Sequence, residues 1–185
     1  MKSLKTIQVL ANIGKILSKI LFILCIVGFC GCIVGILSLA LGLESFKIGD
    51  VTIRGIIENK AELSMATLYA AMAVGIVYCA AEAVLCKFSE IYFRNELADG
   101  TPFTLRGAKE LKRLGVIVII VSLCAGTVCA IGLAIAHRAN PEIDKLPLES
   151  IGSIGIGIMM LICSLLCRYG AELRSEKTEE TLVAD

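Results

Sequence analysis

Four long apolar runs constrain this chain more than any other feature. They occupy residues 20–43, 65–86, 114–136 and 150–167, and between them they hold a single charged side chain, Glu82. A helix that crosses the hydrocarbon of a bilayer needs about 20 apolar residues at about 1.5 Å of rise each. Hydrocarbon also offers the backbone no hydrogen-bond partners, so a run that crosses it must be helical or part of a closed barrel. Runs of this length without period-two alternation predict an all-α fold, an integral four-helix transmembrane bundle. At 57% hydrophobic residues and a mean hydropathy of +0.84, the composition exceeds the roughly half-apolar norm of soluble domains. The division expected is a basic amphipathic segment over 1–19, a transmembrane domain over 20–168 and a tail over 169–185. The first apolar run is too long for the roughly 7–15-residue core of a signal peptide, which makes it an uncleaved span.

The polar stretches carry the rest of the information. Residues 2–19 hold Lys2, Lys5, Lys15 and Lys19 and no acid, a pattern suited to a helix lying along a membrane surface. Phe46-Lys47-Ile48 and Val51-Thr52-Ile53 flank Gly49-Asp50, which fits either a small β-hairpin or an irregular loop. The second span should continue as a helix beyond the membrane, with Phe88, Ile91 and Tyr92 on one side and Glu90 and Arg94 at the spacing of a helical ion pair. Gly100 then supplies a helix stop, Thr101-Pro102 a turn, and Thr104 a cap for a helix that starts near Leu105. That helix opens with Arg106, Lys109, Glu110, Lys112 and Arg113 and leads into the third span. Of 18 Lys and Arg residues, 13 lie in the N-terminal segment, this central connector and the tail. Positive charge is retained in the cytoplasm, so both termini and the connector are expected inside.

Helices in lipid associate through small residues. Span one offers Gly31 and Gly35, span two Ala71 and Gly75, span three Gly126 and Ala130, and span four Gly155. These faces favour packing within one bundle, with a homo-oligomer as the alternative. Glu82 shares the face of Ala71, Gly75 and Tyr78, and lies about 7 Å in from Lys87 by helical rise. On that face it would be a buried intramembrane charge paired with Arg168 or Lys19; alternatively it snorkels to nearby water.

Catalytic signatures are missing. There is no phosphate-binding glycine loop, no HExxH and no nucleophile–His–acid set. Nine cysteines lie in or beside the spans and His137 is the one histidine, so a disulfide framework or a Cys/His metal site is not indicated. The cysteines are expected to fill helix interfaces. No cofactor is implied, and a net charge of +1 does not favour nucleic-acid binding.

Residues 93–115, FRNELADGTPFTLRGAKELKRLG, and 169–182, YGAELRSEKTEETL, resemble the two signature segments of the DUF2975 family of bacterial membrane proteins. The basic Arg174-Ser-Glu-Lys stretch departs from that pattern. The resemblance implies a four-span protein of the cytoplasmic membrane of a bacterium, without an assigned activity, and a regulatory partner. The expectation is therefore a non-enzymatic membrane protein that docks a cytoplasmic partner. Docking would use the connector over 88–113, with Arg94 and Arg106, and the tail, with Glu172. Asp99, Gly100, Thr101, Pro102, Phe103 and Thr104 would form either the docking surface or merely the turn. The alternative is a small oligomeric channel or transporter with Glu82 on a polar path.

Overall fold

The computed structural model describes residues 2–41, 47–48, 51–52, 65–101, 103–141, 143 and 151–183. Four helices dominate: α1 (Lys2–Ala40), α2 (Met65–Asp99), α3 (Leu105–Ala139) and α4 (Ile151–Val183). All four are long and apolar enough to cross a membrane. Between α1 and α2, β1 (Lys47–Ile48) pairs antiparallel with β2 (Val51–Thr52), with Lys47 opposite Thr52 and Ile48 opposite Val51. The two strands of the expected hairpin are thus present. The Gly49-Asp50 turn lies outside the described residues, as do Pro102 and Pro147.

The solvent for which the middle of this chain is built is legible from what it buries. Ser18, Ser38, Thr67, Ser122 and Ser164 are buried, whereas Ile23, Leu24, Val27, Ile131, Ile135, Leu165 and Leu166 are exposed. In water that arrangement would leave wide apolar surface exposed, at roughly 25 cal/mol per Å². In lipid the exposed aliphatic side chains lose nothing, and small hydroxyl residues let helices approach.

α1 has no break between its basic start and its apolar run. The expected separate surface helix over 1–19 is instead the first half of one 39-residue helix. No proline and no glycine stands between Lys15 and Phe22 to interrupt it. The tail likewise continues the helix of the fourth span to Val183.

The contacts fall into two compact units, residues 1–22, 84–123 and 150–185 in one, and 23–83 with 124–149 in the other. In the first, segments of all four helices pack around the link between α2 and α3. Gly14 of α1 leaves room for the Phe93 ring of α2; a Cβ there would meet Phe93 Cζ at 2.7 Å. Gly115 of α3 and Gly157 of α4 bring two backbones together, a Cβ on Gly157 standing 3.1 Å from the Gly115 carbonyl oxygen and 2.5 Å from Ile119 Cγ1. In the second unit, Gly35 faces Met72, Gly75 faces Cys32 Sγ and Gly28 faces Cys79 Sγ. Sulfur against glycine is the interface-filling role expected of these cysteines.

Other small residues are not at contacts. A Cβ on Gly31 or on Gly155 would meet nothing within 4 Å, and Ala130 is exposed. On α3 the buried stripe is Leu114, Val118, Ser122, Ala125 and Cys129, which is one residue off the Gly126–Ala130 stripe expected from small-residue spacing. One residue is about 100° of helix. The stripe that packs is therefore the one continuous with Leu114 and Val118, and side-chain size alone does not reveal it.

These contacts rank the glycines. Gly157→Leu is expected to destabilise the protein by about 1–3 kcal/mol, the usual cost of overpacking. Gly155→Leu, on open surface, should leave stability unchanged. Thermal unfolding of the two variants in the same detergent separates them; equal melting would remove the α3–α4 contact from the account.

Candidate functional site: the connector end of the helices

α2 and α3 are each 35 residues long, about 52 Å at 1.5 Å per residue, against about 30 Å for a bilayer core. The surplus lies where the charges are, from Lys87 to Arg113. This end is closed by a turn with defined chemistry. Gly100 has φ +72°, the left-handed conformation that ends a helix and that glycine adopts most easily. Its N–H still donates to Glu96 O at 3.0 Å. Thr101 Oγ1 accepts from Phe103 N at 3.2 Å. Thr104 Oγ1 accepts from Gly107 N at 2.9 Å, capping α3, a contact typically worth about 1 kcal/mol. The helix stop and the cap therefore fall where the sequence predicts them.

α1 and α4 both reach this turn. Gln8 Nε2 donates to Gly100 O at 3.2 Å, and a Cβ on Gly170 would stand 3.0 Å from Phe103 Cδ1. Between α2 and α3, Asn95 Nδ2 lies 3.1 and 3.0 Å from the two carboxylate oxygens of Glu110. Arg106 Nε donates to the same carboxylate at 3.3 Å, and Arg106 Nη1 lies 3.9 Å from Asp99 Oδ1. The Arg106 side chain is exposed, so its ion pairs contribute at most about 1 kcal/mol each. The part-buried hydrogen bond from Asn95 to a charged acceptor belongs to a class worth about 1.5–3 kcal/mol and is the stronger clamp.

Tyr92 is buried, and its hydroxyl donates to Glu96. Burial raises the Tyr92 phenol well above its ordinary range, with the nearby Glu96 charge adding to the effect. Burial also raises the Glu96 carboxyl, and the hydrogen bond from Tyr92 only partly opposes it. Beside this pair Phe88, Ile91, Tyr92, Asn95, Glu110, Arg113, Leu114 and Ile117 line a groove of about 270 Å³. Phe88, Ile91 and Tyr92 share one side of α2 in the sequence pattern. Their meeting with Arg113, Leu114 and Ile117 depends on the angle at which the turn sets α3, and no sequence signal fixes that angle.

Several expected roles change. Glu82 is exposed rather than turned into the packed interior, and none of the described ion pairs includes it. Its buried neighbours on α2 are Ala83 and Leu85. Arg168, a candidate partner for Glu82, instead donates from Nε to Glu172 Oε1 of its own helix at 2.8 Å. Glu90 is held by Lys87 at 2.8 Å rather than paired with Arg94. That hydrogen bond lowers the Glu90 carboxyl, aided by the charges of Lys87, Lys19 and Arg94. Of the residues expected to dock a partner, Arg106 and Glu172 are thus engaged within the chain. Arg94, Lys109, Lys112 and Arg113 are exposed and take part in none of the described ion pairs.

No group of three or more His, Cys, Asp or Glu residues among those described could hold a metal ion. No family model matches the chain, and no curated protein or solved structure matches it.

Two measurements test the construction of this end. Gly100→Ala should cost about 1 kcal/mol of stability, the penalty for a Cβ in the left-handed region, seen as a lower melting temperature with the helix content intact. Glu96 has a folded-state pKa above its ordinary 4.5, so the folded protein holds this proton more tightly than the unfolded chain does. Its contribution to stability is fully present below pH 4.5 and is lost as pH rises through the raised folded value. Glu96→Gln should therefore flatten the stability profile above pH 4.5 and raise stability at neutral pH, as read by melting temperature against pH.

Proposed function

We propose that this is a non-enzymatic, multi-pass protein of the bacterial cytoplasmic membrane whose connector end docks a cytoplasmic protein partner, a regulator. Both termini and the connector lie in the cytoplasm on this reading. Three things support it. The distribution of 13 of the 18 Lys and Arg residues favours that side for the connector. The resemblance of residues 93–115 and 169–182 to the DUF2975 signature falls on the same end. The observation that carries the reading is the surplus helix itself. α2 continues over 87–99 past its apolar run and α3 begins with 105–113 before its own, and Asn95, Glu110, Gly100 and Thr104 hold that extension in one conformation. A pre-organised surface loses little side-chain and loop freedom on binding.

Arg94, Lys109 and Lys112 present unpaired charge on this surface, so the partner's complementary face is acidic. Arg106 and Glu172 serve to hold the platform. The second reading, an oligomeric channel or transporter with Glu82 on a polar path, is favoured by the exposure of Glu82. A carboxylate on an outer face about 7 Å inside the span is costly to leave against lipid and would be relieved by a second copy.

The test is recovery of partners from host membranes in mild detergent with wild type and with an Arg94→Glu/Lys112→Glu variant, together with reporter fusions at the two termini. Cytoplasmic reporters and a partner recovered at least tenfold less with the variant support docking. Recovery of this chain alone, as a defined oligomer, overturns it. In that case Glu82→Gln should abolish flux in liposomes.

A further inference from the structure

The groove on the connector end is amphipathic along its length, and its direction relative to the membrane follows from the chain. α2 leaves the apolar run at Cys86 and α3 re-enters it at Leu114. By helical rise Arg113 stands about 1.5 Å and Glu110 about 6 Å outside Leu114, and Phe88 about 3 Å and Ile91 about 7.5 Å outside Cys86, so Phe88, Leu114 and Ile117 form the end nearest the hydrocarbon, Arg113 stands at its edge, and Asn95 and Glu110 form the end furthest from it. Ile117 stands about 4.5 Å inside the boundary set by Leu114, by helical rise. The groove thus straddles the level where acyl chains meet headgroups.

Its polar lining holds one cation outside the described ion pairs, Arg113. Glu110 is already satisfied by Asn95 and by Arg106 Nε, and Glu96 is occupied by the Tyr92 hydroxyl. Arg113 is exposed, lines the groove and takes part in no described ion pair. Lys109 and Lys112, also exposed, stand within one helical turn of it. A free guanidinium above an apolar trough matches a phosphate carried on an alkyl chain: the planar fork binds phosphate oxygens bidentately. The volume of about 270 Å³ falls below the roughly 300–1,000 Å³ typical of sites that enclose whole small molecules, which suits part of one lipid. Basic pockets between membrane helices at this level are known to hold anionic headgroups.

We infer that this groove is a binding site for one anionic phospholipid, with an acyl chain along Phe88, Leu114 and Ile117 and the phosphate on Arg113. The site depends on the connector standing at the membrane boundary, not on the side it faces and not on any protein partner.

The experiment is native mass spectrometry of the purified full chain in detergent. Phosphatidylglycerol and phosphatidylcholine are titrated against wild type, Arg113→Gln, Ile91→Trp and, as a charge control at the far end of α3, Arg138→Gln. Wild type should take up one phosphatidylglycerol before any further lipid, and phosphatidylcholine more weakly. Arg113→Gln should weaken the first phosphatidylglycerol about fivefold, as expected for one cation at a membrane surface. Ile91→Trp, which fills the trough, should abolish the one-lipid step while circular dichroism stays that of wild type. Arg138→Gln should bind as wild type does. Equal affinity for the two lipids, equal weakening by Arg113→Gln and Arg138→Gln, or displacement by millimolar inorganic phosphate alone would each overturn the site.

Discussion

A helix rises 1.5 Å per residue whatever its sequence, and a bilayer core is about 30 Å thick. Helices of 35 residues must therefore place about 15 residues elsewhere. In α2 and α3 most of the surplus, 87–99 and 105–113, is carried together at the connector, between the second and third apolar runs. Everything of chemical interest at that end follows from this excess. Outside the hydrocarbon, charged and amide side chains become affordable, and they clamp the two helices where packing of small residues would have to serve inside.

The clamp is hierarchical. The Gly100 turn sets the reversal, because its left-handed φ ends α2 within one residue. The Asn95–Glu110 hydrogen bonds then fix how far apart the emerging helices stand. Arg106 bridges from Glu110 to Asp99 on the outside. α1 and α4 complete the arrangement through Gln8 on the Gly100 carbonyl and Phe103 against Gly170. The conspicuous DGTPFT motif is thus the structural hub of this end. That role does not exclude a partner, but it accounts for the residue types at Gly100, Thr101 and Thr104 without one. The unpaired charge stands beside the motif, on Arg94, Lys109, Lys112 and Arg113.

Away from the connector, the packing obeys a different rule. Serine, threonine, glycine and cysteine fill the contacts, and isoleucine, leucine and valine are left outside. The hydrophobic effect cannot drive these helices together, since lipid is as apolar as their side chains. Close approach at Gly115 and Gly157, at Gly35 and at Gly75 does so instead. Glu82 is the exception to this economy, a charge within an apolar run and on an outer face. Contact with headgroup water, about 7 Å away by helical rise, or with another copy of the chain would satisfy it.

The sequence by itself determined the number of apolar helices and the positions where α2 stops and α3 starts, and it left residues 46–53 open between a hairpin and a loop. The first two depend on local chemistry: run length, a glycine at a left-handed position, a threonine at a cap. Only the tertiary structure decided which side of each helix is buried. Gly31 and Gly155 belong to small-residue patterns and touch nothing, while Gly35 and Gly157 do touch neighbours. The buried stripe of α3 runs through Ala125 and Cys129 rather than Gly126 and Ala130. Glu90 selects Lys87 over Arg94, and Arg168 selects Glu172. A step of one residue turns a side chain through about 100°, and in hydrocarbon no polarity contrast marks the correct face. That choice is left to shape, and shape exists only once the helices have met.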